Sequence, residues 1–235
     1  MNRSLLFVTL FALSATAALP GTATAHDPAE QASGQDIDKV NSSITVEASQ
    51  AYGDLSTVNG SIKIEANARI KDAETVNGSI RAKDDIQSHS LSTVNGSVHV
   101  GERARIDGGI ETVNGGVFVD RGGKLARGIE TVNGAIGIIA TELGGGIETV
   151  NGDVTVGLGS HLKGGIKVEK PNNKWLGFRM GKQKIPRIVI GPNAVVDGPL
   201  VFEREVKLYV HSSARIGNLR GATVVRFDSA TPPKD

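Results

Sequence analysis

Five letters recur along this chain at a nearly fixed interval. ETVNG is read at residues 74–78, 111–115, 130–134 and 148–152, and STVNG at 56–60 and 92–96. Aligned on Val-Asn, the copies fall at Val40, Val58, Val76, Val94, Val113, Val132 and Val150, spaced 18, 18, 18, 19, 19 and 18 residues apart. Self-similarity at this period means that each copy is one structural unit stacked on the next. The units are too short for helical repeats. Their composition is that of strand and turn, with 30 Gly and with apolar residues alternating in SIKIEA, SVHVGE and DVTVGL. Eighteen residues supply about three short strands at ~3.3 Å per residue, one coil of a solenoid whose rungs stack ~4.8 Å apart. The predicted fold is all-β, a single-stranded parallel β-helix of about nine rungs of 18–19 residues.

Each letter of the phrase then has a physical assignment. Val58 and its equivalents are read as an inward aliphatic column, as are Ile62, Ile80, Val98, Val117, Ile136 and Val154. Asn41, Asn59, Asn77, Asn95, Asn114, Asn133 and Asn151 follow at a corner, where stacked amides hydrogen-bond from rung to rung. The next residue is glycine in every copy but the first, which has Ser42, and it is assigned the positive φ of a sharp corner. A weaker phrase, seen in ANARI, ERARI, GGKLA and GSHLK, returns late as IGPNAVVDG and VHSSARIGN. It carries the solenoid through residues 188–219, beyond the last ETVNG.

The ends and one interruption complete the layout. Residues 1–25 combine Arg3, an apolar run rich in small residues and an A-x-A site, which reads as a secretory signal cleaved before His26. The run is too short for a good membrane span, so no transmembrane helix is expected in the mature chain. A polar leader covers 26–36, the β-helix 37–220 with an insertion at 171–187, and a last strand and free tail 221–235. With no cysteine, neither disulfides nor thiolate metal sites are open to this chain, and stability rests on packing.

The iterated TVNGSI coils after an export signal resemble the bacterial DUF4097-type adhesin family, and IVIGPNAVVDGPL is similar to the polymer-forming bactofilins. Both likenesses imply a right-handed β-helix, which is the preferred hand. The six-residue rhythm Val58, Ile64, Ile70, Val76 belongs to left-handed hexapeptide helices, but the 19-residue copies break it.

Chemistry is sparse. His89, His99, His161 and His211 fall on separate rungs with no acidic partner nearby in sequence, and no nucleophile, phosphate-binding or metalloprotease motif is present. No catalytic residue and no cofactor are assigned. Glu111, Glu130 and Glu148 form one acidic column, a weak candidate for calcium. Calcium takes six or more oxygens and no second acidic column accompanies this one, so solvated side chains are the preferred reading and no metal is assigned. Ice binding calls for a T-x-T face, and the phrase has one Thr per rung.

The insertion PNNKWLGFRMGKQKIPR stands apart, with the sole Trp and a dense positive charge. Lys170, Lys174, Trp175, Phe178, Arg179, Lys182, Lys184 and Arg187 are the candidate surface-binding residues, suited to an anionic envelope surface or polysaccharide. A cover for an open flank of the solenoid is the competing reading. Residues 26–162 carry 11 basic and 19 acidic side chains, and 163–235 carry 14 and 6. Such a dipolar chain can associate head to tail; nucleic acid is not an expected partner. The expected function is a non-enzymatic, exported β-solenoid, periplasmic or on the cell surface, that serves as a structural or adhesin-like element of the envelope. The alternatives are a self-assembling bactofilin-like filament and a carbohydrate-active β-helix enzyme.

Overall fold

The computed structural model describes residues 34–171, 184–229 and 231–233. Every described residue belongs to one compact unit, Ala32–Asp235. The expected signal segment lies outside the described residues, as does the centre of the insertion with Lys174, Trp175, Phe178, Arg179 and Lys182.

The described elements are all β-strands. They form three parallel sheets, two of ten strands and one of seven, so the two longer sheets span nine steps from coil to coil. One coil shows the path. Ile110–Asn114 lies in the first sheet, Val117–Val119 in the second and Lys124–Leu125 in the third, before Ile129–Asn133 re-enters the first. Like residues stack on like: Glu111 on Glu130, Thr112 on Thr131, Asn114 on Asn133, Val117 on Ile136 and Leu125 on Leu143. Inward side chains from all three sheets make one continuous core, including Leu91, Ile110, Ile129 and Ile147 from the first sheet and Val98, Val117, Ile136 and Val154 from the second. Burying each such side chain stabilises the fold by about 1.5–3 kcal/mol, and without disulfides this is the principal source of stability.

Two assignments made from the phrase are corrected by the structure. Thr, not Val, points inward: Thr57, Thr75, Thr93, Thr112, Thr131 and Thr149 are all buried, whereas Val58 is only partly covered and Val40 is 59% exposed. The reason is strand parity. Leu55 faces the core, so Thr57 does too, and Val58 must face out. Burial of the hydroxyl is compensated, because Thr75 Oγ1 donates to the Gly60 carbonyl at 2.8 Å and Thr93 Oγ1 to the Gly78 carbonyl at 2.9 Å. Thr57, Thr112 and Thr131 bond in the same way, so five of the six tie their coil to the corner of the coil before, while Thr149 Oγ1 accepts from the Gly152 amide of its own coil.

The second correction concerns the corner glycines. Gly60, Gly78, Gly96, Gly115 and Gly152 do not have positive φ. A Cβ on Gly96 would lie closer than 3.0 Å to the carbonyl of Gly78, the very group that accepts from Thr93. Close approach of successive corners is what excludes a side chain there. Left-handed backbone occurs instead at the corner between the second and third sheets. Ser49, Asn67, Asp85, Arg103, Gly122, Ala140, Gly159 and Asn193 occupy it in successive coils with φ between 43° and 73°.

The asparagines form a ladder along the outer edge. Asn59 Nδ2 donates to Asn41 Oδ1, Asn77 to Asn59, Asn95 to Asn77, Asn114 to Asn95 and Asn133 to Asn114, each at 2.9 Å, and Asn151 to Asn133 at 2.8 Å. All six bonds point the same way, which leaves the Asn151 oxygen as the open acceptor end.

Candidate functional site

That open end is where the regular coils stop. The chain leaves the first sheet after Ile166–Val168 and re-enters the second at Arg187–Ile190, the step that in earlier coils passes through an Asn corner. Arg204 closes the ladder from the following coil. Its Nη1 donates to Asn151 Oδ1 at 2.6 Å and to the Val150 carbonyl at 3.1 Å, and its Nη2 donates to the Lys184 carbonyl at 3.1 Å. By sheet register Leu200 stacks on Ile166, itself stacked on Ile147, which places Arg204 at the position of the phrase asparagine. We predict that Arg204→Ala destabilises the fold by about 1–3 kcal/mol, the range for a lost charge-assisted hydrogen bond. Urea unfolding with an unchanged m-value is the check.

The described cations of the insertion are engaged with the solenoid. Lys184 Nζ lies 2.5 Å from Asp153 Oδ2, and the Arg187 amide donates to Asp153 Oδ1 at 2.9 Å. The Arg187 guanidinium sits 4.7 Å from the Tyr209 ring centre and donates to the Pro233 carbonyl at 2.5 Å. Tyr209, Val189 and Phe227 form a small buried cluster outside the main core. Residues 231–233, assigned to a free tail, therefore reach back to this flank. Lys170 is exposed, and its amide donates to Glu203 Oε2 at 3.3 Å. Of the candidate surface-binding residues that are described, Lys184 and Arg187 act as anchors at the exit of the insertion, and Lys170 points to solvent at its entry.

The acidic column is real in register, Glu111 on Glu130 on Glu148, and ends on Lys167. Its carboxylates do not converge: among the described residues no group of three or more His, Asp or Glu is placed to hold a metal ion. Partial burial pushes the Glu130 carboxyl above its usual range, and Glu148 and Glu111 add to the shift. Glu74 is raised in the same way, first by burial and then by Asp72. A carboxyl that is harder to ionise in the folded state contributes stability below its unfolded pKa and loses it as pH rises through the folded one. Glu130→Gln should therefore raise stability at pH 7 by up to about 1 kcal/mol, the scale for solvent-screened charges. The gain should vanish near pH ~4, where the unfolded carboxyl is itself protonated. Paired melts at the two pH values test this.

A groove opens on the third sheet. It has a volume of about 420 Å³ and is lined from four successive coils by residues 105–107, 124–126, 142–144, His161 and Lys163. Lys124 Nζ is 3.4 Å from Glu142 Oε2. His161 Nε2 lies 2.6 Å from Asp197 Oδ2, a partner 36 residues away that spacing along the chain could not reveal. Both members of that pair are solvent-accessible, with side chains 43% and 56% exposed.

No family model matches the chain, and neither does any curated protein or solved structure. The described residues contain no helix long and apolar enough to cross a membrane.

Proposed function

We propose that the protein is an exported, non-enzymatic β-solenoid that works as a structural or adhesive element of the bacterial envelope, with its basic C-terminal coils against an anionic surface. The observation that carries this reading is axial polarity. Coils stack in chain order, so charge segregated along the sequence becomes charge segregated along the solenoid axis. Among the described residues, 34–162 hold 11 basic and 17 acidic side chains, and those from 163 onward hold 10 and 5. By sequence the insertion cations Lys174, Arg179 and Lys182 add to this basic total, and Trp175 and Phe178 suit the headgroup level, where amphipathic rings settle. The resemblance to DUF4097-type adhesins supports the same assignment.

The test is sedimentation with anionic and neutral phospholipid vesicles. Each basic residue near an anionic surface is worth ~1 kcal/mol, so Lys174→Glu/Arg179→Glu should weaken binding stepwise, and salt should release the protein. Indifference to vesicle charge would overturn the proposal.

A second reading, a head-to-tail filament, is favoured by the two end coils. The first carries Asp36, Asp38 and Glu47, and the last carries Arg215, Arg220 and Arg226. In the two ten-stranded sheets, Ile37–Lys39 and Ile44–Val46 end one side, and Leu219–Arg220 and Val224–Phe227 the other. Assembly of this kind dissolves in 1 M salt, where the Debye length is ~3 Å, and light scattering reads it.

A further inference from the structure

Two outward columns run along the third sheet and frame its groove. The first passes through Arg105, Lys124, Glu142 and His161, which stack in register. The second follows two residues later in each coil, through Asp107, Ala126, Gly144 and Lys163. In that second column two consecutive coils give up their long side chains. The result is a trough floored by Ala126 and Gly144, closed at one end by Asp107 and at the other by Lys163. Four coils at ~4.8 Å per step make it about 14 Å long, directed along the axis and across the strands.

The lining restricts what can lie there. Ile106, Leu125 and Leu143 are 1–3% exposed and face the core, so the groove presents charged side chains and the His161 imidazole around a small floor of Ala126 and Gly144, with no Phe, Tyr or Trp. The four strands beneath it are each paired on both sides, which leaves no edge for a peptide to join as a further strand. Arg105, Lys124 and Lys163 supply three cations against the carboxylates of Asp107 and Glu142. Arg105, Lys163 and Asp107 make no ion pair among the described residues. Asp197 holds the His161 ring through Nε2. A guanidinium and ammonium groups recognise carboxylates, whereas Asp107, Glu142 and imidazole accept hydroxyl hydrogens. An extended chain with both carboxylates and hydroxyls, repeating on the scale of the coil spacing, satisfies this set; a bare polyanion would meet Asp107 and Glu142 unfavourably.

We infer that the third-sheet groove between Asp107 and Lys163 is a binding site for a short acidic oligosaccharide of the uronate class. The site lies on coils before the insertion and uses none of the insertion residues proposed to meet an anionic surface, so vesicle binding neither supports nor weakens it.

The experiment is calorimetric titration of the full-length chain with galacturonate oligomers of three to six units, with neutral gluco-oligosaccharides of the same length and with polyphosphate. The acidic oligomers should bind and the other two should not. Arg105→Glu/Lys163→Glu should weaken binding about tenfold or more, as expected for lost charge-assisted hydrogen bonds. Ala126→Leu, at an exposed position on the groove floor, should do the same by filling it, with the melting temperature retained. Arg81→Glu, exposed on the second sheet, should leave affinity within about twofold. Absence of binding by galacturonate oligomers overturns the inference. So does equal binding of polyphosphate or neutral oligomers, or a correctly folded Ala126→Leu chain with native affinity.

Discussion

Gly96→Ala is expected to cost about 3 kcal/mol, the upper end of overpacking penalties. The new methyl group would meet the Gly78 carbonyl closer than 3.0 Å, and backbone is what it meets, so no side chain can rotate away. Relief requires the two corners to separate. Separation would stretch the Asn95–Asn77 amide bond and the Thr93 bond to the same carbonyl. Gly159→Ala provides the contrast. That residue has φ 64° with nothing within 4 Å of a built Cβ, so it should lose only about 1–2 kcal/mol, the cost of left-handed backbone. Equal losses at the two positions in urea melts would mean that conformation, not proximity, selects glycine in the phrase.

Ile136→Ala should be at least as damaging, at about 2–5 kcal/mol. Its side chain is 1% exposed and is stacked between Val117 and Val154 in the inward column of the second sheet. Neither neighbour can collapse into the void without breaking its own stacking, since each coil is bonded to the next along three sheets. Val224, in the last coil, is partly exposed and has a stacking partner on one side only, Leu208. Val224→Ala should cost about 1 kcal/mol, because stability in a stacked repeat is a sum of neighbour terms. A uniform penalty along the column would contradict that picture.

What was readable in the chain beforehand depended on whether a position repeats its letter. The asparagine ladder needs one residue type, and the Ile62, Ile80, Val98 column one β-branched aliphatic, in every coil, and spacing alone displays them. The inward direction of Thr57 is masked in the sequence by Val58, its more apolar neighbour. Counting parity from Leu55 settles the direction, but only once the strand is known to begin there. The left-handed corner is filled by Ser, Asn, Asp, Arg, Gly and Ala, each tolerated at moderate strain, so no shared letter marks it. Arg204 and the His161–Asp197 pair were invisible for another reason. Both depend on register carried across the insertion at 171–187, where the phrase is worn away.

The lack of native cysteine allows the most direct test of an envelope contact through the basic end. Thr45 and Val225 are exposed on the outer side of the second sheet, in its first and last coils, so Thr45→Cys and Val225→Cys can each carry one environment-sensitive fluorophore. On addition of anionic vesicles at low salt, the label at 225 should shift as it enters the headgroup region and the label at 45 should remain as in buffer, with both silent in 1 M salt. An equal response from the two labels, a response from 45 alone, or no discrimination between anionic and neutral vesicles would contradict attachment through the C-terminal coils.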